Sequence, residues 1–383
     1  MALAEKYASA LAAGGGDGLG EGTAWTLAEA IATAVAGDRV NLKKDGVYTA
    51  GGDLTFATAG TIANPVIWRS YLNTIGDADL GRDPTTGRLI ETNMAVINFA
   101  DATRELLLSG NFNVFQSVKI TGVSTSVLCT VSGAGAGLMN CVIENTSTGG
   151  ASHAVSITST TGFATNCDAR HLGASGGAAA FNCGTSGIIH RCRLASTSGP
   201  CFLSSAGSPV LANCVLRGSG THGVQITSTG ASAHITLLDC TIQGNAANGV
   251  DIISTFVAHA RIFGCHVTDN GGYGIDANAA TAATMVSQLR TRDNTTAALL
   301  LDAEWQDAVY GHVTTDTGGA STDYADAAGG NLTLIDGAPG VDSSAMGQNI
   351  GACGTNKASI EAGVSGGGAR RVPIFIPVGG QSK

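Results

Sequence analysis

Short apolar stretches punctuated by Gly, Asn and Ser recur through the middle of the chain, without the 3.6-residue periodicity of an amphipathic helix. Asn140-Cys141-Val142-Ile143, Asn166-Cys167, Arg191-Cys192-Arg193-Leu194, Asn213-Cys214-Val215-Leu216, Asp239-Cys240-Thr241-Ile242 and Gly264-Cys265-His266-Val267 share one frame. Their cysteines are separated by 26, 25, 22, 26 and 25 residues. Other positions repeat in phase. Gly223-Val224, Gly249-Val250 and Gly274-Ile275 lie nine residues beyond Cys214, Cys240 and Cys265, and Asn145, Asn245 and Asn270 fall where a turn is due. Apolar stretches such as Ile235-Thr236-Leu237-Leu238 and Ala260-Arg261-Ile262-Phe263 precede their cysteines. Each unit therefore reads as about three short strands joined by turns. The period is too short for helical solenoids and lacks the dense leucines of leucine-rich repeats. A coil of three strands fits, each strand pairing with its counterpart one coil on, about 4.8 Å away.

Alternation along a strand sends each cysteine and the residue two beyond it to the inside. Cys141, Cys167, Cys192, Cys214, Cys240 and Cys265 then stack as a ladder. In-register parallel strands aim their Cβ bonds the same way, whereas a disulfide needs them to converge. The ladder is expected to be reduced and to pack as small hydrophobes. A metal site is the alternative, but no C-x-x-C pair is present and the spacing is a whole coil, so no metal and no cofactor are expected.

A solenoid has to cover its open ends. Thr26-Leu27-Ala28-Glu29 has the pattern of a capping box, Leu27, Ile31 and Val35 follow at four-residue intervals, and Gly37 supplies a stop. A short helix over about 27–36 is expected as a lid, with strands beginning at Val40, Leu42 and Val47. Residues 72–93 turn polar, with Asp77, Asp79, Arg82, Asp83 and Arg88, and read as a loop leaving an early coil. The cysteine repeat lapses from about 284 to 335, although Ala298-Leu299-Leu300-Leu301 and Leu332-Thr333-Leu334 retain strand character. Gly363 to Gly368 reads as a flexible linker. The apolar segment beyond it, with Val372, Ile374, Phe375 and Ile376, reads as an arm that docks on a partner or folds back on its own coil.

Composition sharpens this picture. The 383 residues include 55 glycines and 7 prolines, and only 13% are charged, against a usual quarter or so. Small residues suit a long narrow core, whereas 5% aromatics cannot fill a broad one. The formal net charge of −9 argues against nucleic acid, which needs a basic stripe to displace counterions. No apolar run is long enough to span a membrane. The opening residues lack the basic and apolar regions of a signal peptide, so the cysteines are expected to stay reduced.

The run Gly22-Thr23-Ala24-Trp25-Thr26-Leu27-Ala28-Glu29-Ala30, followed by Ala36-Gly37-Asp38-Arg39-Val40, resembles the opening of pectate-lyase-like right-handed β-helix proteins. Gly60-Thr61-Ile62-Ala63-Asn64-Pro65-Val66-Ile67-Trp68-Arg69-Ser70-Tyr71 and the repeated Asn-Cys units resemble the same family. So do the closing segments Gly337-Ala338-Pro339-Gly340-Val341-Asp342 and Asn349-Ile350-Gly351-Ala352. The resemblance implies an all-β, right-handed parallel β-helix. Its divisions would be an N-terminal segment with capping helix over 1–50, the β-helix over 51–352, and a linker with docking arm over 353–383. The family joins polysaccharide lyases, hydrolases and epimerases with purely structural bacteriophage proteins, so fold does not choose among functions.

The family's active sites lie on the outer face of one parallel sheet. There, Asp251 and Asp276 occupy equivalent positions one coil apart, with Gln225 preceding them in the column. Their spacing approaches that of paired glycosidase carboxylates, and a cation site is conceivable; the alternative is a solvated polar column. His234 and His259 form another equivalent pair, which reads as turn-like or strand-start residues. His153, His222 and His266 share no frame with a nucleophile. Aromatic platforms are sparse and the coils over 140–280 contain no Trp. The expectation is a non-enzymatic structural protein of a bacteriophage virion: a capsid decoration, spike or fibre subunit. It would be assembled in the bacterial host cytoplasm, trimeric with itself, and attached to capsid or tail proteins. The alternative is a carbohydrate-active tailspike acting on a host glycan at Asp251 and Asp276.

Overall fold

The computed structural model describes residues 4–300 apart from 151, 175, 228–233, 254–258 and 278–283, together with the strands Val309–Asp316, Tyr324–Asp326 and Asn331–Leu334. The chain forms a right-handed parallel β-helix of about nine turns with three sheets. Sheet one holds the strands just before each ladder cysteine, such as Val210–Ala212 and His234–Leu238. Sheet two holds those just after it, such as Arg193–Ser196, Val215–Arg217 and Thr241–Gln243. Sheet three holds Phe202–Ser204, Val224–Ile226, Val250–Ile252 and Tyr273–Asp276 among its ten strands. Pairing is parallel and in register from coil to coil, as in His234↔His259, Thr241↔His266 and Val250↔Ile275.

The corner between sheets one and two explains the Asn-Cys signature. The residue before each ladder cysteine is left-handed: Asn140, Asn166, Arg191, Asn213 and Asp239 have φ between 49° and 54°, and Gly264 has φ 63°. Asn, Asp and Gly tolerate that region best, so the corner selects them. Gly264 has a second reason: a Cβ there would stand 2.0 Å from Asp239 Oδ1. Where the cysteine repeat lapses the corner straightens. The single strand Thr284–Arg292 pairs with both His259–Phe263 and His266–Thr268, joining sheets one and two.

All six ladder cysteines are buried and free, as are Cys129, Cys183 and Cys201. Ile143, Leu216, Ile242 and Val267, two residues beyond their cysteines, are fully buried beside them. The early coils are filled differently. Phe56 packs edge-on against Trp68 and Phe115 with centroids 4.8 Å apart in each case, and Trp68 Nε1 donates to Asn113 Oδ1 at 2.6 Å. The aromatic part of the core is thus concentrated near the N-terminal end. Buried Asn245 and Asn270 form a ladder of their own: Asn245 Nδ2 donates to Asn270 Oδ1 and Asn270 Nδ2 to Asn294 Oδ1, both at 2.8 Å.

The lid helix is Leu27–Thr33, shorter than its sequence pattern suggests. Its capping box is complete: Thr26 Oγ1 accepts from Glu29 N–H, and Glu29 Oε2 accepts from Thr26 N–H. Ala30 is buried, with Leu27 and Ile31 packed against the core. Val35 lies outside the helix and is exposed, because Asp38 Oδ2 accepts from Val35 N–H at 2.9 Å and turns the chain toward the strand Asp38–Lys43. The parallel pairing already includes Ala4–Ser9 against that strand, a contact with no signature in the sequence.

Candidate functional site

Three coils meet at the corner leading into sheet three. His222, Asn248 and Tyr273 each precede the repeated glycine, and Gln225, Asp251 and Asp276 each follow it by two residues. Gln225, Asp251 and Asp276 are in register. The glycine is required: a Cβ on Gly249 would come within 2.5 Å of Val267 Cγ1 and 2.6 Å of Gly274 O. With the corner drawn in this tightly, side chains of adjacent coils reach one another. Asn248 Nδ2 donates to Asp251 Oδ1 at 2.9 Å and to Asp276 Oδ2 at 3.1 Å. Asn248 Oδ1 accepts from Tyr273 N–H at 2.9 Å.

His222 completes the group. Its Nδ1 accepts from Asn248 N–H at 3.3 Å, which places the proton of the neutral ring on Nε2. Nε2 lies 3.5 Å from Asp251 Oδ2. Asp251 is only 5% exposed. The arrangement therefore differs from a solvated column: one carboxylate is enclosed, and a single amide holds both. The sequence brought out Asp251 and Asp276 but not His222 and Asn248. Their signal was present, since each stands just before a repeated glycine.

In the cysteine ladder each Sγ faces the carbonyl two residues earlier. The distances are 3.2 Å for Cys141, 3.3 Å for Cys167, and 3.4 Å for Cys192, Cys214, Cys240 and Cys265. Each thiol is a weak donor closing the left-handed corner from inside. Burial pushes Cys167, Cys214 and Cys265 well above the ordinary thiol range, opposite to what a nucleophile or metal ligand needs. Among the described residues, no group of three or more His, Cys, Asp or Glu side chains converges as metal ligands.

The remaining histidines are dispersed. His234 and His259 are partners in register. His153 Nδ1 accepts from Ala179 N–H at 3.0 Å, and burial lowers the affinity of this ring for a proton. His171 Nε2 lies 2.9 Å from Ser152 Oγ, and both residues are fully buried. That Ser–His contact has no solvent-facing side from which a substrate could approach. Burial, with His153 adding to it, takes His171 down to about 4. Val372, Ile374, Phe375 and Ile376 lie outside the described residues.

The polar 72–93 stretch leaves the first coils as a loop and lies back over sheet two. The loop extends to Met94, and Leu89 and Met94 pack on Val142. Arg82 donates to Asp168 Oδ1 at 2.6 Å and, through Nε, to Asn166 Oδ1 at 2.8 Å. Leu89 N–H donates to the other oxygen of Asp168, which is completely buried. Alongside, Lys119 bridges Glu91 and Glu144 at 2.6 and 2.8 Å, and Arg170 reaches the same two glutamates at 3.1 and 2.5 Å. None of these pairings had a sequence signature.

Residues 106–289 match the family described as a right handed β-helix region. Among solved structures, the chain is similar to the pectate lyase Pel9A: 14% identity, TM-score 0.65, covering 93% of this chain and 97% of that one. A rhamnogalacturonan lyase aligns with 10% identity and TM-score 0.49, over 84% of this chain and 90% of its own. No curated protein sequence matches the chain. Identities this low carry the fold and leave the chemistry to the side chains.

Proposed function

We propose that this chain is a non-enzymatic structural component of a bacteriophage virion, a capsid decoration, spike or fibre subunit that assembles with itself as a trimer and with other virion proteins. The observation that carries the non-enzymatic half is the state of the Asp251–Asp276 pair. Asn248 already donates to both carboxylates, and His222 faces Asp251, which is nearly enclosed. A general acid or base must reach its substrate within hydrogen-bond distance; this pair instead ties three coils together. The thiol core supports the same reading, since its described cysteines are buried out of reach of a substrate. The virion assignment is supported by the resemblance of the Gly22–Val40 and Gly60–Tyr71 segments to a family that includes phage structural proteins.

The test is cryo-electron microscopy of the assembled particle, with analytical ultracentrifugation of the purified full chain. A trimer seated on capsid or tail supports the proposal. A stable monomer that associates with no virion component overturns it.

The second reading is a polysaccharide lyase or hydrolase acting on a host surface glycan. It is favoured by one specific feature, His222 facing Asp251 with Asp276 in register one coil on along sheet three. Cleavage of host glycan that disappears in the Asp251→Asn/Asp276→Asn double variant would establish it. Unchanged cleavage would remove these residues, and no cleavage at all would remove the class.

A further inference from the structure

The three outer faces of the solenoid differ in kind. Sheet two carries Lys119, Glu144, Arg170 and Arg193, and the 72–94 loop lies over it. Sheet three carries a largely polar column that includes Ser156, Asn182, Gln225 and Asp251. Sheet one is apolar instead. Its six strands from Asn113–Gln116 to His234–Leu238 contain no Asp, Glu, Lys or Arg.

Alternation along each strand sets which residues face out. Phe115, Leu138, Ile189 and Leu211 fill the core and are fully buried. Their neighbours form two outer columns in register: Val114, Gly137, Phe163, Ile188 and Val210 in one, with Met139 and Leu238 at the ends of the other. Ile188 is 41% exposed and Met139 36%, while Val114, Phe163, Val210 and Leu238 are half-buried. The surface is also flat. A Cβ on Gly137 would stand 2.6 Å from Phe163 Cδ1, so the glycine lets that ring lie along the sheet instead of standing off it. Charge returns where the strip ends: Arg69 is in register with Gln116 on one side, and Arg261 with Thr236 on the other.

We propose that this strip is where copies of the chain meet, side by side at the same height with their long axes parallel. The proposal rests on the reading that the chain assembles with itself, and it names the surface that does so. Six strands at about 4.8 Å spacing make the strip roughly 24 Å long. A contact along the nine turns and about six residues across, roughly 43 Å by 20 Å, reaches the ~800 Å² per partner of a stable interface. The strip is its dry centre, and corner residues such as Thr161, Ser186 and Asn140 are its polar rim. A second copy fits because it presents a sheet of the same pitch that is uncharged over the same length. With axes parallel, Arg69 and Arg261 of each copy fall beyond the apolar stretch of the other, and the two sheets can pack face to face about 10 Å apart. A partner with a charged surface would have its own charges desolvated against the strip without counterparts.

The test is sedimentation of the full chain over a range of concentrations, wild type against the Met139→Glu/Ile188→Glu double variant. Both side chains are exposed, so the coils should fold, which circular dichroism and melting check. Wild type is expected to sediment as an assembly and the double variant as a folded monomer. Leu172→Glu, at a position 47% exposed beside sheet two, should leave the assembly intact. If the double variant does not fold, Ile188→Cys decides: a short bismaleimide should link its subunits and leave wild type unlinked. An assembly unchanged in the folded double variant, or unlinked in Ile188→Cys, overturns this face and leaves self-assembly standing. Dissociation in Leu172→Glu as well overturns it too, since added charge anywhere would then suffice. Wild type monomeric at every concentration overturns both readings. A wild-type dimer that falls apart in the double variant supports this face and overturns only the trimer.

Discussion

Arg82 and Asp168 are 86 residues apart in sequence, and their side chains meet at 2.6 Å. Asp168 is completely buried, and its second oxygen accepts from Leu89 N–H at 2.9 Å. The loop that carries Arg82 and Leu89 is thereby latched across coils formed much later in the chain.

Removing Arg82 should therefore cost more than an exposed ion pair would. Arg82→Met leaves the buried Asp168 carboxylate with only the more distant Arg170, 3.5 Å away, a loss of about 3 kcal/mol. The Asp168→Asn/Arg82→Met double variant should recover part of it. Denaturant unfolding measures both, and limited proteolysis should show cleavage over 72–94 in the single variant before the coils are cut. Equal stability of Arg82→Met and wild type would mean that the latch does not hold the loop.

The cysteine ladder makes a second prediction. Cys214→Ala keeps an apolar residue in a fully buried position and should cost about 1 kcal/mol. Cys214→Asp puts an unpaired carboxylate there and should prevent folding or cost several kcal/mol. Ladder thiols should react with iodoacetamide only after denaturation, because all six are buried inside the coils.

Acid stability should carry the signature of His171. Its folded-state value is about 4, with burial as the main cause, against roughly 6.5 in an unfolded chain. Between those values the unfolded chain holds a proton that the native ring does not. Stability contributed by the neutral ring is complete above about pH 6.5, falls as pH decreases, and is fully lost near pH 4. The span is about 3 kcal/mol, and His153, lowered by burial, adds to it in the same direction. Urea unfolding at stepped pH should show a shallower slope in His171→Gln; an identical slope would assign the acid sensitivity elsewhere.

Asn248 should matter more to stability than either aspartate. Asp251→Asn keeps an acceptor for Asn248 Nδ2 and should cost about 1 kcal/mol. Asn248→Ala leaves two neighbouring carboxylates without their shared donor and Tyr273 N–H without its acceptor, about 3 kcal/mol in all. Thermal melting ranks the two, and the reverse order would show that the pair is not held by the asparagine.

Much of this architecture was legible because the β-helix is built from near-neighbour rules. A left-handed corner once per coil favours Asn, Asp or Gly, with Arg191 the exception among the six, and the next inward position favours a small apolar group, so Asn140-Cys141 and Asp239-Cys240 announce themselves. Coil spacing fixed the column of Gln225, Asp251 and Asp276. The capping box at Thr26 and Glu29 was equally plain, although the helix ended early because Asp38 turns the chain at Val35. His222 obeyed the same periodicity and was readable, yet a histidine in a turn proclaims no partner until the corner glycines bring the coils together.

What only the tertiary structure decided were contacts that no period encodes. The descent of the 72–94 loop onto sheet two depends on Arg82, Leu89 and Met94 finding Asp168 and Val142. Arg170 likewise meets Glu91 at 3.1 Å across 79 residues of sequence. A repeat sequence determines its coils because each residue is constrained by its counterpart one turn away. A loop that leaves the coils meets no such constraint, and its place is set by long-range burial and charge pairing that appear only when the chain is folded.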